Sequence, residues 1–130
     1  MKRTILGAAV VGVAAVLATP AQAFAGTNIP WTYTTDKSPG AKARFIANGD
    51  AVKLCDVEED GWAGYIRVNW WSSESHQYIE LDEFHVGGKG RCKQKSYGKT
   101  FPEGMKVQLV ICLTKDAISG HYCRIVSGRA

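Results

Sequence analysis

The sequence predicts an all-β protein, an antiparallel β-sandwich or barrel of about 6–8 short strands with two disulfides. Three observations carry this. Residues 62–71 and 105–113 alternate apolar and polar side chains, the period-two repeat of a strand with one face on a core. Turn-forming residues recur at short intervals, among them Asn48-Gly49, Gly61, Gly87-Gly88 and the run Lys115–Gly120. No window carries a helical stripe with a cap at each end.

The chain of 130 residues begins Met1-Lys2-Arg3, runs apolar from Ile5 to Ala18 and continues Ala21-Gln22-Ala23-Phe24-Ala25. A basic start, an apolar stretch and small-x-small sites are the three parts of a secretory signal peptide, expected over residues 1–25. Cleavage fits after Ala23 or after Ala25. The apolar run is shorter than the roughly 20 residues of a membrane span, so the expected mature protein is secreted, extracellular and free of the membrane. It is one domain by size. Residues 26–40 hold Pro30, Pro39, Asn28 and several threonines and read as an irregular N-terminal arm, with a short strand at Trp31-Thr32-Tyr33. Residues 41–130 read as a single disulfide-stabilised β domain.

Within it, residues 41–47 and 51–55 flank Asn48-Gly49, the strongest short hairpin signal because its turn needs positive φ. Residues 56–61 form a second turn. The strand at 62–71 places Trp62, Gly64, Ile66, Val68 and Trp70 on one face and Tyr65, Arg67, Asn69 and Trp71 on the other. Residues 72–75 turn the chain, 77–84 are strand-like, and Gly87–Gly90 is a loop. The alternating lysines and arginines from Lys89 to Lys99 read as a solvated loop. Residues 105–113 set Met105, Val107, Leu109, Ile111 and Leu113 on one face, and 121–127 form the last strand.

Cys55, Cys92, Cys112 and Cys123 are an even set behind an export signal, which favours two bridges, with three connectivities open. The expected pairing is Cys55–Cys92 and Cys112–Cys123, because the second pair flanks one hairpin and the first is then forced. Zinc needs closely spaced ligand pairs that this spacing does not supply. No cofactor is expected. Asp56, Glu58 and Asp60 with Gly61 match the start of a calcium loop, but Arg67 stands where a bidentate Glu belongs; a solvated turn is the favoured reading, with weak calcium binding as its rival. His76, His85 and His121 lie in no metal or nucleophile motif, and no catalytic residue is assigned.

Residues 26–83 carry five basic and ten acidic side chains, and residues 84–130 nine basic and two acidic. Two halves packed together would intermingle these charges, so nucleic acid is not the expected partner. The aromatic content is the best functional hint. Tyr65, Arg67, Asn69 and Trp71 project together, and an exposed Tyr/Trp/Arg patch is chemistry suited to a protein or glycan partner; the favoured rival reading is that a second sheet or a dimer covers this face.

The run Ala43-Arg44-Phe45-Ile46-Ala47-Asn48-Gly49-Asp50, followed by Cys55-Asp56 and Asp60-Gly61, resembles small secreted actinobacterial proteins of uncharacterised function. Those carry an A-x-F-x-x-x-G-D segment followed by V-C-D-x-x-x-D-G; Leu54 stands here where they often have Val. Glu103-Gly104, Val107, Cys112-Leu113 and Cys123 are similar to their later element. The likeness spans about residues 41–126 and implies a β-rich exported domain with two disulfides and no particular activity.

The reading that follows is a non-catalytic extracellular binding module. The alternatives are a secreted protease or hydrolase inhibitor presenting the loop Gly87–Lys95, and a small hydrolase. Export should leave a chain starting at Phe24 or Gly26, which the intact mass of the secreted protein reads directly; a secreted product retaining residues 1–18 would contradict the leader.

Overall fold

The structure is a computed structural model that describes residues 26–130; the expected leader lies outside the described residues. Eight strands form two four-stranded antiparallel sheets. They are β1 (Ile29–Tyr33), β2 (Ala41–Ile46), β3 (Ala51–Asp56), β4 (Ala63–Ser72), β5 (Gln77–Val86), β6 (Cys92–Ser96), β7 (Lys106–Thr114) and β8 (His121–Arg129). The first sheet has the order β1-β2-β3-β6 and the second β5-β4-β7-β8. Among the described residues the one helical element is a 3-10 turn at Gly98–Thr100.

The core follows from the alternation. Ile66 and Val68 of β4 and Val107, Leu109 and Ile111 of β7 are fully buried, facing Ala43, Phe45, Val52 and Leu54 of the first sheet. Trp70 packs against the same cluster at its margin. The sheets approach closely at Gly64, where an added Cβ would lie 3.1 Å from the Ala41 Cβ. Phe101, beyond the 3-10 turn, plugs one end of the core, edge-to-face with Phe45 and Tyr97 at centroid separations of 6.5 Å and 5.5 Å.

Both open sides of the sandwich are joined. On one, Thr27 and Arg129 exchange backbone hydrogen bonds of 2.9 Å and 3.2 Å, linking the start of the first sheet to β8. On the other, Lys95 of β6 reaches Asp82 of β5 at 2.9 Å, and the Tyr97 hydroxyl donates to the same carboxylate oxygen at 2.9 Å. Burial alone would raise the Asp82 carboxyl, but the bonds from Lys95 and Tyr97 outweigh it and hold it below the usual carboxylate range.

Three local expectations are corrected. The short strand expected at Trp31-Thr32-Tyr33 is present but starts earlier, at Ile29, and pairs with β2, with a register shift between Ile29 and Thr32. Pro30 is compatible with this because β1 is an edge strand. Lys93 and Lys95 lie not in a loop but in β6, paired with β3. Their stems run over the Phe84 ring, with Nζ 5.8 Å and 4.8 Å from its centroid, so lysine stands where an apolar residue would signal a strand. The hairpin at Asn48-Gly49 forms, but positive φ falls on Gly49 and Asp50.

The disulfides are Cys55–Cys92 and Cys112–Cys123, with sequence separations of 37 and 11. Each joins an edge strand to its neighbour, β6 to β3 and β8 to β7. On a chain-entropy model, replacing the first pair by alanine should cost about 4 kcal/mol and the second about 3 kcal/mol, read as a shift in urea midpoint. Asp82 supplies a second test. A depressed carboxylate contributes stability above its unfolded pKa and loses it as pH falls through the lower folded value. Asp82→Asn should therefore be less stable than the wild type at neutral pH, with the gap closing on acidification below about pH 4, measured by melting temperature against pH.

Candidate functional site: the outer sheet faces

Tyr65, Arg67, Asn69 and Trp71 share the outer face of the second sheet, away from the first. They differ in height. Arg67 and Trp71 are half-buried, whereas Tyr65 is 2% and Asn69 8% exposed. The expectation of a uniformly accessible patch is corrected for these two, and neighbouring strands supply the cover. Tyr65 pairs in register with His85 on one side and Cys112 on the other. Its hydroxyl donates to Glu83 Oε2, and Arg67 Nη2 lies 3.5 Å away. Burial raises the Tyr65 phenol, and the bond to Glu83 adds to the shift. Asn69 Nδ2 donates to Gln108 Oε1 at 3.0 Å.

Arg67 Nε lies 2.8 Å from Glu80 Oε2, an ion pair without hydrogen-bond alignment. Trp71 meets Tyr78 edge-to-face at 5.2 Å, with Lys106 Nζ 5.4 Å from the indole centroid. Across the sheet, Arg67, Val110 and Ile125 stand in one row, and Ile125 is 62% exposed. The result is a flat face with a satisfied polar band, an aromatic corner and an uncovered aliphatic side chain.

The outer face of the first sheet carries a group that the sequence reading did not assemble. Trp31 of β1 lies beside Lys42 and Arg44 of β2, whose cationic groups are each 4.6 Å from its ring centroid. Lys42 also sits 5.9 Å from the Tyr33 ring. Arg44 pairs in register with Lys53 of β3. Finding this group requires the β1–β2 pairing. The one signal in the chain is the matching of Trp31/Tyr33 and Lys42/Arg44 at two-residue spacing.

The acidic turn is a structural turn in its hydrogen bonding. Asp56 is 1% exposed, and its two carboxylate oxygens accept from the Glu58 and Gly88 amides at 3.2 Å and 2.8 Å. Glu58 accepts from the Ser38 hydroxyl, and Asp60 from the Trp62 amide at 2.9 Å. Among the described residues no group of three His, Cys, Asp or Glu is placed to hold a metal. Residues 88–91 of the proposed inhibitory loop are tied by backbone bonds to Asp56 and to one another, while Cys92–Lys95 is strand. His76 and His85 fall at opposite ends of β5, and His121 opens β8 against Trp62 at a centroid distance of 5.3 Å. Trp62 also contacts Tyr122 and Lys115.

Beside the Asn48-Gly49 hairpin, Asn28, Asn48, Asp50, Gly98 and Glu103 line an open recess of ≈ 530 Å³. Asp50 is 8% exposed. Burial, and then the charge of Glu103, raise its carboxyl above the usual range. Comparison of the chain with protein-family models, with curated proteins and with solved structures found no match. No helix among the described residues is long and apolar enough to cross a membrane.

The recess generates a stability prediction. A carboxyl with a raised folded pKa opposes folding when ionised, and the opposition is full above that pKa and absent below the unfolded value. Asp50 has φ +49, which Asn tolerates as well as Asp. Asp50→Asn should therefore raise the melting temperature at pH 7, with the gain vanishing below about pH 3. A gain that persists undiminished in acid would mean that charge is not its cause.

Proposed function

We propose that the protein is an exported, non-catalytic binding module that takes a protein partner on the outer face of its second sheet. The observation that supports this most is the uncovered strip formed by Ile125, Val110, Arg67 and the Trp71–Tyr78 corner on a rigid sheet. Arginine and aromatic residues around an aliphatic contact make an interface core. Holding them on strands tied by a disulfide leaves little side-chain and loop entropy to lose on docking. Two disulfides suit an oxidising compartment, the leader-like start of the chain supports export, and the likeness to small secreted actinobacterial proteins points the same way.

A small hydrolase is the second reading, and the Asp50–Glu103 recess is the observation that favours it. A raised carboxyl beside a second one is the arrangement of a general acid. It would require turnover of ester or glycoside substrates that Asp50→Asn abolishes.

For the binding module, Trp71→Ala should lower the melting temperature modestly, since the indole is half-buried. It should weaken partner binding by about 2 kcal/mol. Ile125→Asp should abolish binding with the fold intact, because it opens no cavity. The check is calorimetry against a panel of extracellular proteins, with circular dichroism on each variant. Binding unchanged in both variants, or turnover by the wild type that Asp50→Asn removes, would contradict the reading.

A further inference from the structure

The outer face of the first sheet is chemically unlike the other. Its outward positions are Trp31 and Tyr33 on β1, Lys42, Arg44 and Ile46 on β2, Ala51, Lys53 and Cys55 on β3, and Cys92, Gln94 and Ser96 on β6. Three are cationic and none is acidic. Arg67 on the outer face of the second sheet is neutralised by Glu80, and Lys95 on the inner side of β6 by Asp82. On the outer face of the first sheet nothing does so among the described residues, and Arg44 Nε lacks a hydrogen-bond partner there.

We infer that this face binds a linear anionic polysaccharide, with Lys42, Arg44 and Lys53 reading successive sulfate or carboxylate groups. Charge sets the sign of the ligand. The geometry sets its shape. Lys42 and Arg44 are two residues apart on one strand, about 7 Å, and Lys53 faces Arg44 across one strand spacing of about 5 Å. Cations spread along and across neighbouring strands can meet several anions along a chain. The Trp31 ring fixes two of them. Each cation lies within cation–π reach of it, which holds the long side chains in place before the ligand arrives and reduces the entropy lost on binding.

The same stack argues for a sugar polymer over a nucleic acid. Proteins that hold single strands offer successive open rings on which bases stack. Trp31 is already engaged by two cations, and the one other aromatic ring on the face, Tyr33, is 43% exposed with Lys42 5.9 Å from its centroid. The inference rests on the binding-module reading for its extracellular setting only, and it concerns the opposite face of the molecule.

The test uses the exported, disulfide-intact protein and three probes at matched low salt, near 50 mM: heparin as a sulfated polysaccharide, polygalacturonate as a carboxylated one, and oligo-dT. The wild type should bind at least one polysaccharide, more tightly than oligo-dT, and the preferred probe tells sulfate from carboxylate recognition. Arg44→Gln with Lys53→Gln should weaken binding at least tenfold and lower the slope of log affinity on log salt by about two, as loss of two counterion-releasing contacts does. Trp31→Leu should weaken it less, with the three charges retained, and each variant's circular dichroism spectrum should match the wild type. Lys106→Gln, on the other face, should change nothing. Absence of binding to both polysaccharides, tighter binding to oligo-dT, or an equal loss in Lys106→Gln would overturn the inference. Ile125→Asp should bind polysaccharide like the wild type, so failure here leaves the protein-partner reading standing, and failure there leaves this one.

Discussion

Everything in this molecule hangs on the period-two alternation of the central pair β4 and β7. One face of the pair is apolar without interruption through Ile66, Val68, Val107, Leu109 and Ile111, and all five are fully buried. Burial of such side chains contributes about 1.5–3 kcal/mol each, more than any surface ion pair here can supply. A slip of one residue would turn this whole set to solvent. Register is therefore fixed at the centre, and the edges are attached to it. The disulfides fasten β6 and β8 to their neighbours, and the Lys95–Asp82–Tyr97 contact and the Thr27–Arg129 bridge join the sheets along their sides.

The same alternation obliges the polar and aromatic residues to the outside. In a two-layer sandwich each sheet has only one face to bury, so two flat outer faces remain. The second sheet presents Arg67, Trp71, Tyr78, Val110 and Ile125, with Arg67 paired to Glu80. The first presents Trp31, Tyr33, Lys42, Arg44 and Lys53, all of one sign where charged. These are different chemistries on opposite sides of one thin domain.

The strands whose residues alternate were legible in the chain. So was the β2–β3 hairpin, from Asn48-Gly49, and so was the Cys112–Cys123 bridge, because a hairpin brings its ends together. Of the edge strands, β5 and β8 were legible too, whereas β6 was not and β1 was only in part. β6 carries lysines on both of its inward positions because the rim of a sandwich accepts their stems, and β1 contains a proline that only an edge tolerates. The height of a side chain above its sheet was not legible either. Alternation gives the face of Tyr65, but its burial depends on Glu83 and Cys112 from two neighbouring strands. The β4–β5 register that brings Glu83 there carries a shift between Val68 and Asn69 that no local pattern announces. The Trp31 group stayed hidden for the same reason, since it exists only once β1 pairs with β2.

The central claim is the assignment of faces, two packed on each other and two open, and hydroxyl-radical footprinting of the disulfide-intact protein tests it most directly. The account expects fast oxidation at Tyr33 and Ile125, intermediate rates at Trp31, Trp71 and Tyr78, and protection of Tyr65, Ile66, Phe45 and Leu109. Tyr65 reacting as fast as Tyr33, or Ile125 and Trp71 protected like the core, would contradict this assignment, because the outer face of the second sheet would then be either more open or more covered than its register allows.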